Sequence, residues 1–217
     1  MNPALYSRFE QLFHEYPPSG NEILEVGATA NVSETLLSIF KNISKTYHCV
    51  GINIKVNSAD NLPYTLIQCN GNDMNTFDDE SFDAVTCNAV LEHDKFFWKT
   101  IAEVRRVLKP EGLCYVGVPC FLKKRNLVQK TLLKLRNSRF LRSIPLLYAL
   151  AWKAIGTQLA ATSTYMYHSS PHDFYRFSVD AVKDVMLEGF AVLHLEYVLN
   201  PVRIIAVGRK PKATNAI

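Results

Sequence analysis

Apolar positions recur along this chain in two periods, and the alternation between them predicts an α/β order. Leu5, Phe9, Leu12 and Phe13 fall at helical spacing over residues 4–16, and Pro17-Pro18-Ser19-Gly20 ends that helix. Residues 23–26 form a short apolar strand, 27–31 its turn, and 33–40 the helix that follows. Strands are expected at 47–54 and 66–69. A further strand at 82–87 is almost continuously apolar, as suits a strand covered on both faces. Phe97, Ile101, Val104 and Leu108 lie on one stripe of a helix over 96–107. A strand at 113–118 stops at Pro119. The alternation then breaks over 121–170, an apolar and basic stretch that reads as helical. It resumes with a helix at 178–187, capped by Ser178 with Asp180 in its first turn and stopped by Gly189. Strands at 190–199 and 202–207, joined by Asn200-Pro201, close the chain as a hairpin. Strands that alternate with helices argue for a parallel, doubly wound sheet, to which the hairpin adds an antiparallel strand.

Length and composition narrow this picture without redirecting it. A chain of 217 residues suffices for one domain with a full core, here read as a single domain over 1–217 with an N-terminal helix inside 1–20. Hydrophobic residues make up 48% and charged residues 20%, as in a soluble globular protein. The longest apolar run, Ile144 to Trp152, is nine residues with a proline inside, against the roughly 20 a bilayer span needs. Residues 1–20 contain no signal-like apolar run, so a cytoplasmic location is expected. Five cysteines, none in a C-x-x-C pair, read as buried reduced thiols, and no metal is expected. Charge is the uneven property. From Gly112 to His172 there is no acid, and nine of the 24 basic residues stand there. Such asymmetry speaks to partners rather than to fold.

Three segments carry candidate chemistry. Glu25-Val26-Gly27-Ala28-Thr29-Ala30-Asn31 follows the first strand. Ser81-Phe82-Asp83 to Leu91-Glu92-His93 spans the fourth, and Arg105-Arg106-Val107-Leu108-Lys109-Pro110-Glu111-Gly112-Leu113 leads into the fifth. In this order and spacing they resemble the core of the Rossmann-like S-adenosylmethionine-dependent methyltransferases, in particular the type 11 methyltransferase-domain group. The resemblance covers 21–119 well and the last two strands by pattern. It implies a seven-stranded, mostly parallel, doubly wound sheet, with S-adenosylmethionine as cofactor. It places the cofactor on Glu25, Gly27, Ala28, Thr29 and Asn31, where N–H groups at a helix start can hold its carboxylate. The family turn usually runs E/D-x-G-x-G-x-G. Here Thr29 and Asn31 stand at the second and third glycine positions, and Thr resists left-handed backbone. Asn53 occupies the place of the ribose-binding acid and can accept a hydroxyl without charge assistance, or simply close a turn. Asp73 is set facing the adenine amino group and the Met74 N–H on a ring nitrogen, with Asn72 beside them; Asp73 reads equally as a solvated loop acid. Asn88, Ala89 and His93 close over the methionine part.

Methyl transfer needs alignment of the acceptor and a base only for hydroxyl or protonated amine acceptors. No Asn/Asp-Pro-Pro-Tyr/Phe follows the fourth strand, which disfavours exocyclic amine chemistry on nucleobases. His168, His172 and Asp173 are the candidate catalytic residues; His172, Asp173 and Arg176 read alternatively as a structural hydrogen-bonded knot. The stretch 121–170 is expected to be a basic lid over a small-molecule or glycan-type acceptor, anionic or lipid-linked, methylated at oxygen. Its basic face reads also as a solvated surface or as a peripheral membrane contact. Nucleic acid is disfavoured for want of a motif. Two rival readings stand beside the enzyme: an inactive partner subunit on the same fold, and a basic membrane-surface or RNA-binding module.

Overall fold

The computed structural model describes residues 2–40, 46–56, 61–121, 172–199 and 201–212, with isolated positions between 131 and 164. The chain divides into two compact units, Met1–Cys120 with Tyr165–Ile217, and Phe121–Thr164. The expected helical lid over 121–170 falls for the most part outside the described residues, as does His168.

Seven strands form one sheet within the first unit: β1 (Glu22–Val26), β2 (His48–Asn53), β3 (Thr65–Gln68), β4 (Phe82–Asn88), β5 (Leu108–Pro119), β6 (Ala191–Leu199) and β7 (Val202–Arg209). Their order is β3-β2-β1-β4-β5-β7-β6. Pairing is parallel from β3 through β5, and β7 runs antiparallel to both β5 and β6. The seven-stranded, mostly parallel sheet expected from the sequence is therefore present. The chain leaves β1 toward β2 and β3, then returns to place β4 on the other side of β1. Strand order reverses there, and the crevice at the carboxyl ends of β1 and β4 is where such sheets hold ligands.

Two cores flank the sheet. On one face α1 (Pro3–Glu15) buries Leu5, Phe9, Leu12 and Phe13, and the short α2 (Leu37–Phe40) buries Leu37, Ile39 and Phe40, against Ile23, Tyr115, Ile205 and Val207. On the other, Ile101, Val104 and Val107 of α3 (Phe97–Val107) join Val182 and Met186 against Leu24, Val26, Val85 and Val116. Each such side chain contributes roughly 1.5–3 kcal/mol by leaving water. Alternation along β1 decides the sides: Leu24 and Val26 face one core, Ile23 and Glu25 the other. Asn2 caps α1 by accepting the Ala4 and Leu5 N–H groups, with Pro3 at the first helical position.

Two expected helices differ in the structure. Over 33–40 the chain makes a 3-10 turn, Val32–Glu34, and then one turn of α2. Glu25 is the reason. Its carboxylate accepts the Thr35 hydroxyl and the Leu36 and Leu37 N–H groups, the latter two at 3.1 and 3.0 Å, so the helix restarts at that buried acceptor. The helix at 178–187 is a π-helical segment, Ala181–Met186, with Ser178 Oγ accepting the Ala181 N–H at 3.1 Å.

The Ser-Phe-Asp and Leu-Lys-Pro segments meet at the amino-terminal edge of the strands. Asp83 is buried, accepts the Glu22 N–H at 3.0 Å and pairs with Lys109 at 2.9 Å. A Cβ at Gly20 would collide with that carboxylate. These motif residues latch β1, β4 and β5 together at the rim opposite the candidate site.

Candidate functional site

The turn after β1 is shaped by one left-handed residue, Gly27, with φ of +86°. A Cβ there would strike Val90 Cγ2, so the loop after β4 fills the space that glycine leaves open. Neither Thr29 nor Asn31 has positive φ. The two missing glycines therefore cost the turn no backbone strain. Thr29 and Asn31 brace it: Asn31 N–H and Thr29 Oγ1 lie 3.3 Å apart, and Asn31 Oδ1 accepts the Ser33 N–H and hydroxyl at 3.2 and 2.8 Å. Tyr64, buried and 35 residues away, donates its hydroxyl to Thr29 O at 2.5 Å.

The N–H groups of this turn fall into two sets. Gly27 and Ala28 both donate to Ile52 O, at 2.8 and 3.1 Å, and are not open to a ligand as expected. Thr29 and Ala30 N–H make no hydrogen bond among the described residues. Ala30, which the sequence does not single out, thus supplies half of the available pair. Glu25 shapes the turn from beneath; its carboxylate is buried and satisfied inside, and burial pushes its pKa up to about 7.

Asn53 ends β2 with its side chain turned back on the turn. Its Nδ2 donates to Ala28 O at 2.9 Å, while among the described residues Oδ1 receives only the Lys55 N–H, at 3.4 Å. After β3, Asn72 Nδ2 donates to Asp94 at 2.9 Å, but Asn72 Oδ1 is buried with no partner among the described residues. The Asp73 carboxylate is exposed and accepts no hydrogen bond among the described residues. Met74 departs from expectation. Its N–H donates to Glu103 Oε2 at 2.7 Å and its carbonyl accepts from Arg106 at 2.9 Å, so a contact with a ring nitrogen would first have to displace Glu103.

The loop after β4 carries Asn88, Ala89 and His93. Ala89 is left-handed, φ +59°, an uncommon state for a residue with a Cβ and one that gathers at functional sites. Its N–H is held by Gly117 O at 2.9 Å. His93 Nδ1 donates to His172 O, which fixes its tautomer and leaves Nε2 as the basic nitrogen. Segment 172–177 is stitched to this rim: Phe174 N–H and Tyr175 N–H reach Glu92 O at 2.8 and 3.3 Å, and Phe177 N–H reaches Pro119 O at 3.0 Å. Within it both Asp173 oxygens accept from the Arg176 guanidinium in a buried bidentate pair, the contact that the knot reading describes. His172 keeps an exposed ring.

The residues present fit the expected cofactor. Open N–H donors at Thr29 and Ala30 suit its carboxylate. Unfilled acceptors at Asn53, Asn72 and Asp73 suit ribose and adenine donors. Among the described residues no group of His, Cys, Asp and Glu could hold a metal ion. Among them, too, no helix is long and apolar enough to cross a membrane. Cys49, Cys69, Cys87 and Cys114 are free thiols, and burial raises that of Cys114 to about 12.

The model of a family described as a methyltransferase domain matches residues 24–116, from β1 to most of β5. No curated protein matches the chain significantly. Among solved structures, a 1,6-didemethyltoxoflavin N1-methyltransferase from Burkholderia thailandensis, bound to its acceptor and S-adenosylhomocysteine, superposes with a TM-score of 0.61 at 11% identity, covering 97% of this chain and 80% of that one. A Methanosarcina mazei S-adenosylmethionine-dependent methyltransferase gives 0.55 at 17%, over 93% and 97%. The [4+2]-cyclase SpnF gives 0.59 at 13%, over 95% and 81%. At these identities the likeness is one of fold, and a fold can host unlike chemistries.

Proposed function

We propose that this chain, whose residues 24–116 match the model of a methyltransferase domain, moves the methyl group of S-adenosylmethionine to a small-molecule or glycan-type acceptor, at oxygen. The observation that carries this reading is the family match itself, which spans the loops after β1, β2, β3 and β4. The unsatisfied donors and acceptors of those loops support it. When bound, the donor supplies a methyl carbon already activated by its sulfonium. The protein's part is to hold and align. Thr29 and Ala30 N–H take the carboxylate, Asn53 Oδ1 a ribose hydroxyl, and Asn72 Oδ1 with Asp73 the adenine amine. Gly27 lets the loop after β4 pack against the turn; Ala28, Ala89, Asn88, His93 and Asn31 frame the crevice. For a hydroxyl acceptor, His172 is the base, with His168 a second candidate. Asp173 sets the segment's shape by clamping Arg176.

A rival reading, a partner subunit that holds the donor poorly, is favoured by the Met74 N–H already committed to Glu103. Calorimetric titration with S-adenosylhomocysteine separates the two. Binding in the native chain, lost in Gly27→Arg and weakened in the milder Asn72→Leu, is expected. No heat at millimolar ligand with the chain folded would replace the enzyme by the partner subunit.

A further inference from the structure

Lys95-Phe96-Phe97-Trp98-Lys99 opens α3 on the same rim of the sheet as the candidate site. Phe96 is 43% exposed, Trp98 49% and Phe174 47%. They belong to one run of touching rings: Phe96–Trp98 at 5.7 Å between centroids, Trp98–Phe97 at 5.5 Å, Phe97–Tyr175 at 5.2 Å and Tyr175–Phe174 at 6.1 Å. Tyr175 also donates its hydroxyl to Lys95 O at 2.8 Å, pinning segment 172–177 to the start of α3. The strip therefore joins two stretches of chain about eighty residues apart, each with large apolar rings left in water.

The charges around it are one-sided. Asp94 points inward, accepting the Phe96 N–H at 2.8 Å, the Thr100 hydroxyl at 2.7 Å and Asn72 Nδ2 at 2.9 Å. Asp173 is clamped by Arg176. Lys95 and Lys99 are exposed, make no ion pair among the described residues, and each sets its ammonium 5.4 Å from the Phe96 ring centre. Rings whose edges are apolar and whose flanks are cationic suit the boundary between acyl chains and negatively charged headgroups. They suit single-stranded nucleic acid less well. Bases stack on open ring faces along a basic groove, whereas these rings meet edge to face at 84°, 75° and 73°.

We propose that Phe96, Trp98 and Phe174, flanked by Lys95 and Lys99, form a docking surface for an anionic lipid bilayer. Docking there turns the carboxyl rim of the sheet toward the headgroups, so that the acceptor is taken from a lipid surface. That last step rests on the methyl-transfer reading; the docking itself does not.

The chain has two tryptophans, so Trp152→Phe leaves Trp98 as the sole reporter. With vesicles of phosphatidylcholine and phosphatidylglycerol, Trp98 emission shifts to the blue and is quenched by lipids brominated on the acyl chains. Phosphatidylcholine alone gives little of either. Sedimentation of the full native chain with the same vesicles falls at least about tenfold in Phe96→Ser/Trp98→Ser, and several-fold in Lys95→Gln/Lys99→Gln or on adding salt. Three results overturn the proposal: unchanged emission over anionic vesicles at low ionic strength, sedimentation indifferent to Phe96→Ser/Trp98→Ser, or quenching by polyuridylate without vesicle binding. S-adenosylhomocysteine titration of the same variants keeps the two readings apart. Donor binding persists when docking is lost; loss of donor binding with docking intact sinks only the methyl-transfer reading.

Discussion

Asn53 stands where the methyltransferase resemblance places an acid, and the structure supplies a reason for the amide. Its Nδ2 donates to Ala28 O at 2.9 Å, a tie from β2 to the donor turn that a carboxylate cannot make. Asn53→Asp would set a negative oxygen against a carbonyl. We expect it to lower stability by about 1–3 kcal/mol in urea unfolding, with no gain in affinity for S-adenosylhomocysteine by calorimetry. A tighter titration at unchanged stability would show the amide tie to be dispensable. The same scale explains why Thr29 and Asn31 were misleading in the sequence. A motif of glycines implies left-handed backbone at each, but only Gly27 adopts it. The need for Gly27 was legible in the chain. The tolerance at positions 29 and 31 was not, because it depends on Ile52 of β2 and Tyr64 just before β3 holding the turn.

At the level of elements, α2 is organised by Glu25 of β1. The periodicity of 33–40 is helical, yet the buried carboxylate restarts the helix at Leu37 by taking two N–H groups and a hydroxyl. Burial is the larger influence on this acid and lifts its pKa from 4.5 to about 7. An acid whose folded-state value exceeds its unfolded value holds its proton more tightly when folded. Its contribution to stability is fully present below 4.5 and is lost as pH rises toward about 7. Glu25→Gln keeps an acceptor for one N–H and removes the titration. The melting-temperature difference between variant and native chain should therefore move in the variant's favour across that window. A difference independent of pH would place the titration elsewhere.

Across the whole molecule, the loop after β4 is joined to the far side of the sheet by Glu92 and Arg203. Glu92 is fully buried, neither of its oxygens has a hydrogen-bond partner among the described residues, and Oε1 lies 3.6 Å from Arg203 Nη1. Burial raises the Glu92 pKa, and the nearby guanidinium opposes that rise. Removing Arg203 takes the nearby cation from the buried Glu92 carboxyl, and removing Glu92 takes a buried anion from Arg203. Glu92→Leu or Arg203→Met should each cost about 3–5 kcal/mol, and the double variant far less than their sum. Denaturant unfolding of the four chains measures this, and additive losses would mean that the two groups do not interact. Because Glu92 O also holds Phe174 and Tyr175, the single variants should loosen segment 172–177 as well, read as faster amide exchange there.

The chain by itself determined the order of strands and helices, the doubly wound sheet and the place of the crevice. These follow from periodicity and turn chemistry, which act between residues near in sequence. Its sharpest motif residues, Asp83 and Lys109, marked the family while serving as a latch at the rim opposite the site. Only the tertiary structure decided which polar groups of the site remain available. Met74 N–H lost its availability to Glu103 and Asp173 its oxygens to Arg176, while Thr29 and Ala30 kept their N–H groups open. It alone, too, brought Phe174 into line with Phe96 and Trp98. A donor or acceptor is satisfied by whatever the fold carries to within about 3 Å of it, and for Met74 that partner lies on a different element.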